Sequence, residues 1–204
     1  MFRKTPNLLA RSAALAAMFI IASAPVAAGN APADKAASEA KAREYFSNVE
    51  LVDQDGRSLT FYDEVLKDNI VVISFIFTNC QSACPLMTRN LTMIRDMLGE
   101  EERSAIQFVS ISIDPLRDTP SAMKEFAQKH DADIDGWLWL TGQPDDVNYV
   151  TKRLGSYTDD PEAHTTTLLA ANVRTAHWTK IPPNVPPNGV AARLRLLVEE
   201  NAAP

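Results

Sequence analysis

The sequence is short of several residues on which common functional classes depend. It contains two cysteines, three histidines and seven glycines among 204 residues. The glycines form no glycine-rich phosphate-binding loop, and the cysteines lack the paired spacings of zinc fingers. No local pattern around the histidines supports a Ser-His-Asp triad. These absences argue against a phosphate-loop enzyme, a zinc finger and a serine hydrolase.

Basic residues are also outnumbered. Twenty Lys and Arg residues face 26 Asp and Glu residues, which gives a formal net charge of -6. Residues 1–28 hold three of the basic residues and no acidic one, so the remainder carries -9. An acidic domain repels phosphate backbones, and nucleic acid is therefore not an expected partner. The acidity favours solubility, and docking onto a basic protein surface is the alternative.

No apolar run near the amino terminus is clearly long enough to span a membrane. The run Ser12–Ala24 follows three basic residues and is shorter than the roughly 20 residues that a spanning helix needs. Small side chains at residues 26–28 offer a cleavage site. The pattern predicts a signal peptide over residues 1–28 and export to a bacterial periplasm. An uncleaved anchor that keeps the protein near the membrane is the alternative.

The remaining chain divides into a tether and one domain. Residues 29–45 are rich in Ala, Lys and Glu, which predicts a flexible or weakly helical tether. Residues 46–200 show no internal repeat and form a single predicted domain. Its first segments, Val49–Val52 and Ser58–Thr60, flank a turn with Gly56, and they predict an N-terminal hairpin.

Strands and helices alternate through the rest of the domain. Ile70–Phe77 is a nearly unbroken β-branched and aromatic run, which is typical of a strand buried on both faces. Alternation of this kind predicts parallel crossovers, and a late hairpin adds antiparallel strands. We therefore predict an α/β, thioredoxin-like fold with a central mixed sheet flanked by helices. The further strands are predicted at 108–113, 137–140, 168–171 and 176–181, and the helices at 85–98, from 120, 144–154 and 190–199.

The two cysteines follow the first buried strand and open a helix. Cys80 and Cys84 are separated by three residues, so both sulfurs share one face of the first helical turn. A helix amino terminus favours thiolate, which attacks disulfides and binds soft metals. A structural disulfide or a pair of inert core thiols is the alternative. A bridge over so short a gap would restrict little chain entropy, and we therefore favour a redox-active or metal-binding pair.

One histidine is placed to join this pair. His164 is predicted at the start of the strand after the third sheet-flanking helix, which in a thioredoxin-like fold lies beside the cysteine helix. Two thiolates and an imidazole suit Cu(I) and accept Cu(II). His130 ends a predicted helix, where it interacts well with the helix dipole. His177 lies in a hairpin strand and is predicted at the surface.

Four motifs together resemble the Sco/SenC family. The resemblance covers about residues 46–197 and implies a thioredoxin-like fold with a copper site made by Cys80, Cys84 and His164. Asp114 and Asp118 match acidic positions of the family, and we expect them to cap helices or build turns. A position of Asp114 beside the site is the alternative. The family commonly has Asp before the histidine, where this chain has Ala. The four motifs are Thr78 to Pro85, Ser112 to Pro120, Gly136 to Gly142 and the late His164.

The resemblance implies a function in oxidase assembly. Similar proteins deliver copper to the binuclear copper centre of cytochrome c oxidase, or reduce its cysteines. The implied partners are the copper-bearing oxidase subunit and a periplasmic thiol reductant. A thiol–disulfide reductase without copper delivery is the alternative. A peroxiredoxin-like peroxidase is a third hypothesis, although such enzymes place Pro and Thr before their cysteine and this chain has Phe77-Thr78-Asn79.

Overall fold

The computed structural model describes residue 1 and residues 31–201, with side chains from residue 36 onward. The predicted signal peptide over residues 1–28 lies outside the described residues, apart from Met1. Within residues 31–201, no helix is long and apolar enough to cross a bilayer.

The chain begins with a helix and a hairpin. Helix α1 spans Ala31–Phe46, and strands β1 (Glu50–Val52) and β2 (Ser58–Thr60) pair antiparallel, which confirms the predicted hairpin. A π-helical segment, Phe61–Leu66, follows and was not predicted. It begins where the Glu64 carboxylate accepts hydrogen bonds from the backbone N–H and hydroxyl of the residue before the segment, both at 2.6 Å.

A five-stranded mixed sheet forms the centre of the domain. The strand order is β5-β4-β3-β6-β7, with β3 parallel to β4, β4 parallel to β5, and the other two pairs antiparallel. All residues of the central strand are buried, as its continuous apolar sequence predicted. The strands are β3 (Ile70–Ile76), β4 (Ile106–Ser112), β5 (Trp137–Leu140), β6 (Leu168–Asn172) and β7 (His177–Ile181).

Five further helices flank the sheet, and one of them was not predicted. Helix α3 begins after Gly99, whose N–H donates to the Glu102 carboxylate at 2.7 Å. Three acidic residues in its first turn complement the helix dipole. The last helix begins at Pro187, three residues before its predicted start. The helices are α2 (Ala83–Asp96), α3 (Glu100–Ala105), α4 (Pro120–Lys129), α5 (Pro144–Arg153) and α6 (Pro187–Glu199).

Strand pairing gathers three chain segments at one edge of the sheet. The parallel strands β3 and β4 end together, because Ile76 pairs with Ser112. Strand β6 is antiparallel to β3, with Leu169 opposite Ile73, so β6 starts at the edge where β3 ends. The loops after β3 and β4 and the loop before β6 therefore meet at this edge, where open α/β sheets usually bind ligands.

Helix α1 covers most of the segment that the sequence predicted as a tether, residues 29–45. The last turn of α1 packs against the domain through Phe46. The Phe46 ring stacks on Trp178 with centroids 5.2 Å apart and meets Phe61 edge-on at 6.4 Å. Arg43 also pairs with Asp63 of the π-helical segment. The carboxyl end of α1 is therefore fastened to the domain.

Replacing this aromatic anchor should destabilise the domain. Phe46→Ala removes a buried ring and leaves a cavity, so we expect a loss of about 3 kcal/mol in the free energy of unfolding. Chemical denaturation monitored by tryptophan fluorescence measures this difference. Glu44→Ala, at an exposed position of the same helix, is the control and should change stability by less than about 0.5 kcal/mol. Equal stability of the two variants would contradict the packing of α1.

Candidate functional site

The two cysteines lie in the loop after β3 and in the first turn of α2. Both are free thiols, and their residues are 6% and 0% exposed, respectively. The Cys80 N–H donates to the Phe77 carbonyl at 3.2 Å, and the Cys84 N–H donates to Cys80 Sγ at 3.3 Å. The start of the helix therefore directs its free backbone donors at Cys80.

Cys80 is the more acidic thiol of the pair. Burial alone would raise its pKa, but hydrogen bonds from the Cys84 thiol and from the N–H groups of Cys84, Ser82 and Ala83 together outweigh burial and lower the pKa. A cysteine held in this way at a helix amino terminus carries thiolate more readily than a free cysteine. Of the two thiols, Cys80 therefore loses its proton at the lower pH.

Cys84 has the opposite behaviour. Burial raises its pKa far above the ordinary value, and its hydrogen bond to Cys80 raises it further. A hydrogen bond from the Phe77 N–H acts in the other direction but is outweighed, and the charge of Asp118 adds to the rise. Cys84 is therefore held as a neutral thiol beside the Cys80 sulfur. Two cysteines of the same motif thus differ sharply in acidity.

His164 lies in the loop before β6 and not at the start of a strand, so that prediction was wrong. It follows a single 3₁₀ turn, Pro161–Ala163, and the strand starts only at Leu168. The pairing of β6 with β7 begins where Leu168 meets Ile181. The next residues along the partner strand are two prolines, which have no N–H to continue the ladder. The loop that carries His164 therefore stays outside the sheet.

The histidine is oriented for ligation by a backbone carbonyl. His164 Nδ1 lies 2.8 Å from the Pro161 carbonyl oxygen, which can only accept, so Nδ1 carries the hydrogen. In the neutral imidazole this leaves the lone pair on Nε2, and Nε2 lies 3.7 Å from Cys84 Sγ. The Phe77 ring meets the imidazole edge-on at 5.6 Å. The Pro161 carbonyl therefore orients the ring. Ala163, which stands where the family commonly has Asp, has no side-chain acceptor for that purpose.

The three donors form a linked series and not a closed cage. Cys80 contacts Cys84, and Cys84 contacts His164. Across residues 36–201, no three His, Cys, Asp or Glu side chains already make a metal site. Two sulfurs and an imidazole nonetheless suit a soft ion, because all three are soft or borderline ligands. Binding one would draw the donors together and displace the proton of Cys84.

The two aspartates of the loop after β4 have different roles. Asp114 binds Arg117 Nη1 at 2.7 Å, and its carbonyl accepts two backbone N–H groups, which confirms a turn-building role. That prediction was wrong for Asp118, whose buried carboxylate accepts hydrogen bonds from Thr78 and Ser112 instead. No local sequence signal shows this, because Thr78 is 40 residues away in the chain.

The other two histidines are not members of this contact series. His177 is exposed and pairs with Glu200, as expected for a surface residue. His130 follows the last turn of α4, and its ring packs against Phe126 at 4.5 Å. Burial lowers the pKa of His130, and the charges of Lys129 and Arg89 lower it further. His130 also lines a polar cleft with Cys80.

Comparison with known proteins identifies the family. The SCO1/SenC family model matches residues 37–199 of the chain. The chain belongs to the SCO1/SenC family. This membership confirms the resemblance inferred from the sequence motifs.

Solved structures of the family share the thioredoxin-like fold of this chain. A SCO1/SenC lipoprotein from Bacillus anthracis is 32% identical, with a TM-score of 0.63 over 74% of this chain and 92% of that one. Bradyrhizobium japonicum ScoI with copper bound is 25% identical, with a TM-score of 0.61 over 72% of this chain and 96% of that one.

The curated relatives are matched over a shorter length. A SCO1 homologue from Bacillus subtilis is 37% identical over 89 residues, which is 44% of this chain and 45% of the relative. The chain spans about half the length of the curated relatives it matches.

The difference in acidity within this SCO1/SenC protein predicts selective alkylation. The reduced protein should react with iodoacetamide first at Cys80, because the pKa of Cys80 is lowered and that of Cys84 is raised. As the pH rises, labelling of Cys80 should begin below the range of an ordinary thiol. Peptide mass mapping locates the label. Denatured protein, in which both thiols are equivalent, is the control, and preferential labelling of Cys84 in the folded protein would contradict the assignment.

Proposed function

We propose that this protein is a periplasmic copper chaperone that assists maturation of the binuclear copper centre of cytochrome c oxidase. The observation that carries the proposal is the approach of His164 Nε2 to Cys84 Sγ at 3.7 Å, beside Cys80. A thiolate, a second thiol and an oriented imidazole are the donors that a copper carrier needs. The metal is cargo in this proposal and is passed on.

Copper capture and release follow from the acidity of the two thiols. Cys80 supplies thiolate first, since its pKa is lowered. Cys84 joins by releasing its proton, and His164 adds a neutral nitrogen donor that suits Cu(II) as well as Cu(I). Because ligation displaces a proton from Cys84, affinity should fall as the pH falls. The recipient takes the ion by ligand exchange at the same edge of the sheet.

Family membership supports the proposed partner and cargo. The chain belongs to the SCO1/SenC family, and the ScoI structure from Bradyrhizobium japonicum contains copper. The recipient in this proposal is the copper-bearing subunit of cytochrome c oxidase. Export through a signal peptide over residues 1–28 would bring the protein to the periplasm, and an uncleaved anchor would keep it at the membrane.

Thiol–disulfide reduction is the second candidate function, and the unequal acidity of the cysteines favours it. The Cys80 thiolate attacks one sulfur of a partner disulfide and forms a mixed disulfide, while the other partner sulfur leaves as thiolate. Cys84 gives up its proton, attacks Cys80 Sγ and releases the second partner thiolate. The partner is reduced, and Cys80 and Cys84 are oxidised to a disulfide. A periplasmic thiol reductant must then restore both thiols.

Copper binding should depend on reduction and on His164. The signal-free, reduced protein should retain one copper per chain, and oxidation to the disulfide should abolish binding because no thiolate remains. His164→Ala should weaken affinity at least tenfold, which is about 1.4 kcal/mol, because one of three donors is lost. Competition with a chromogenic Cu(I) chelator measures the affinity.

His177→Ala is the matched control, since it removes an exposed histidine at the end of the β6–β7 pair where β6 finishes, whereas His164 precedes the start of β6. This control should bind copper as the unmodified chain does. Absence of copper from both the reduced and the oxidised protein would rule out the chaperone and leave the reductase. Equal losses in the two histidine variants would rule out His164 as a ligand.

Reductase activity should be trapped by changing one cysteine. Cys84→Ser leaves the nucleophile in place and removes the resolving thiol, so mixed disulfides with an oxidised partner peptide should accumulate. Cys80→Ser, the matched variant, should trap far less because Cys84 is buried and has a raised pKa. Non-reducing electrophoresis and mass spectrometry detect the adducts. Equal trapping by both variants would contradict Cys80 as the nucleophile.

A further inference from the structure

Asp118 is a buried carboxylate that joins two loops of the site edge. Its residue is 1% exposed, and it lies between β4 and α4. One carboxylate oxygen accepts the Thr78 N–H at 3.0 Å and the Thr78 hydroxyl at 2.6 Å. The other oxygen accepts the Ser112 hydroxyl at 2.5 Å. The carboxylate therefore connects the end of β4 with the loop that leads to the cysteines.

The far side of this connection is anchored in the sheet. Ser112 is the last residue of β4, and the Asp118 carbonyl accepts the Thr141 hydroxyl at 2.6 Å. Burial raises the pKa of Asp118, while the bonds from Ser112 and Thr78 oppose that rise. Hydrogen bonds to a buried carboxylate are stronger than neutral ones and cost more to lose. Asp118 is thus held in place by the sheet, and Thr78 is bound to it by two hydrogen bonds.

Phe77, the residue before Thr78, contacts two of the three donor residues. The Phe77 carbonyl accepts the Cys80 N–H at 3.2 Å. The Phe77 ring packs edge-on against His164 at 5.6 Å. Cys84 is joined to this pair through its own N–H, which donates to Cys80 Sγ at 3.3 Å. Displacement of Thr78 would move Phe77 and alter its contacts with Cys80 and His164.

We propose that Asp118 is a positioning residue for this site. By holding Thr78 through two hydrogen bonds, it fixes Phe77 and so sets how the two cysteines and His164 face one another. The inference rests on the proposed function, because it assigns Asp118 a role at the same site. It concerns the geometry of the thiol pair, which can be measured without copper.

The test compares two hydroxyls that donate to the same carboxylate. Thr78→Val removes the hydroxyl on the cysteine side, and Ser112→Ala removes the hydroxyl on the sheet side. The reduced and oxidised Cys80–Cys84 pair is equilibrated in glutathione buffers and quantified by alkylation. Thr78→Val should shift the equilibrium about tenfold toward the disulfide, about 30 mV, because the displaced Phe77 carbonyl then holds the Cys80 backbone less well in the arrangement of the reduced pair. Ser112→Ala should shift it less than twofold.

Rescue and stability separate positioning from a general structural role. Thr78→Ser restores the hydroxyl and should restore the redox equilibrium of the unmodified chain. If Thr78→Val does not fold, Thr78→Ala takes its place against Ser112→Ala. Equal shifts in the Thr78 and Ser112 variants, or no shift in a folded Thr78 variant, would overturn the proposal. Failure of the unmodified chain to bind copper would overturn the chaperone function and leave this test unaffected.

Discussion

The pairing of strand β3 is the constraint on which the site depends. This fully buried strand has a parallel neighbour on one side and an antiparallel neighbour on the other. The carboxyl end of β3 therefore meets the end of β4 and the beginning of β6. The cysteine loop, the loop with Asp118 and the loop with His164 come from distant parts of the chain, and the sheet brings them to one edge. No single loop contains the site.

The chemistry of the site follows from the difference in acidity between Cys80 and Cys84. Cys80 precedes the helix and receives its free N–H groups, whereas Cys84 lies inside the first turn and is fully buried. The first position favours thiolate and the second favours thiol. This arrangement serves ligand exchange with a soft ion and attack on a disulfide equally well. The two proposed functions therefore share their residues, and formation of the Cys80–Cys84 disulfide would exclude metal binding.

Local sequence patterns predicted the elements with strong periodicity and missed those without it. The continuous run of β3, the hairpin turn and the start of α4 at residue 120 were predicted, and in the structure Thr119 Oγ1 caps that start by accepting the Ala122 N–H at 3.2 Å. Helix α3 and the π-helical segment were not predicted because each is only six residues long, which is too short to show a helical period. His164 was assigned to a strand because the proline pair that ends the β6–β7 ladder lies in another part of the sequence.

The sequence by itself determined the fold class, the family and the placement of the cysteine pair between a strand and a helix. These features depend on periodicity, on turn residues and on motifs whose residues are close together in the chain. Only the tertiary structure decided that His164 Nε2 lies 3.7 Å from Cys84 Sγ and that Asp118 binds Thr78. Those contacts join residues 80 and 40 positions apart. Strand register and loop packing set such distances, and local conformational preferences do not.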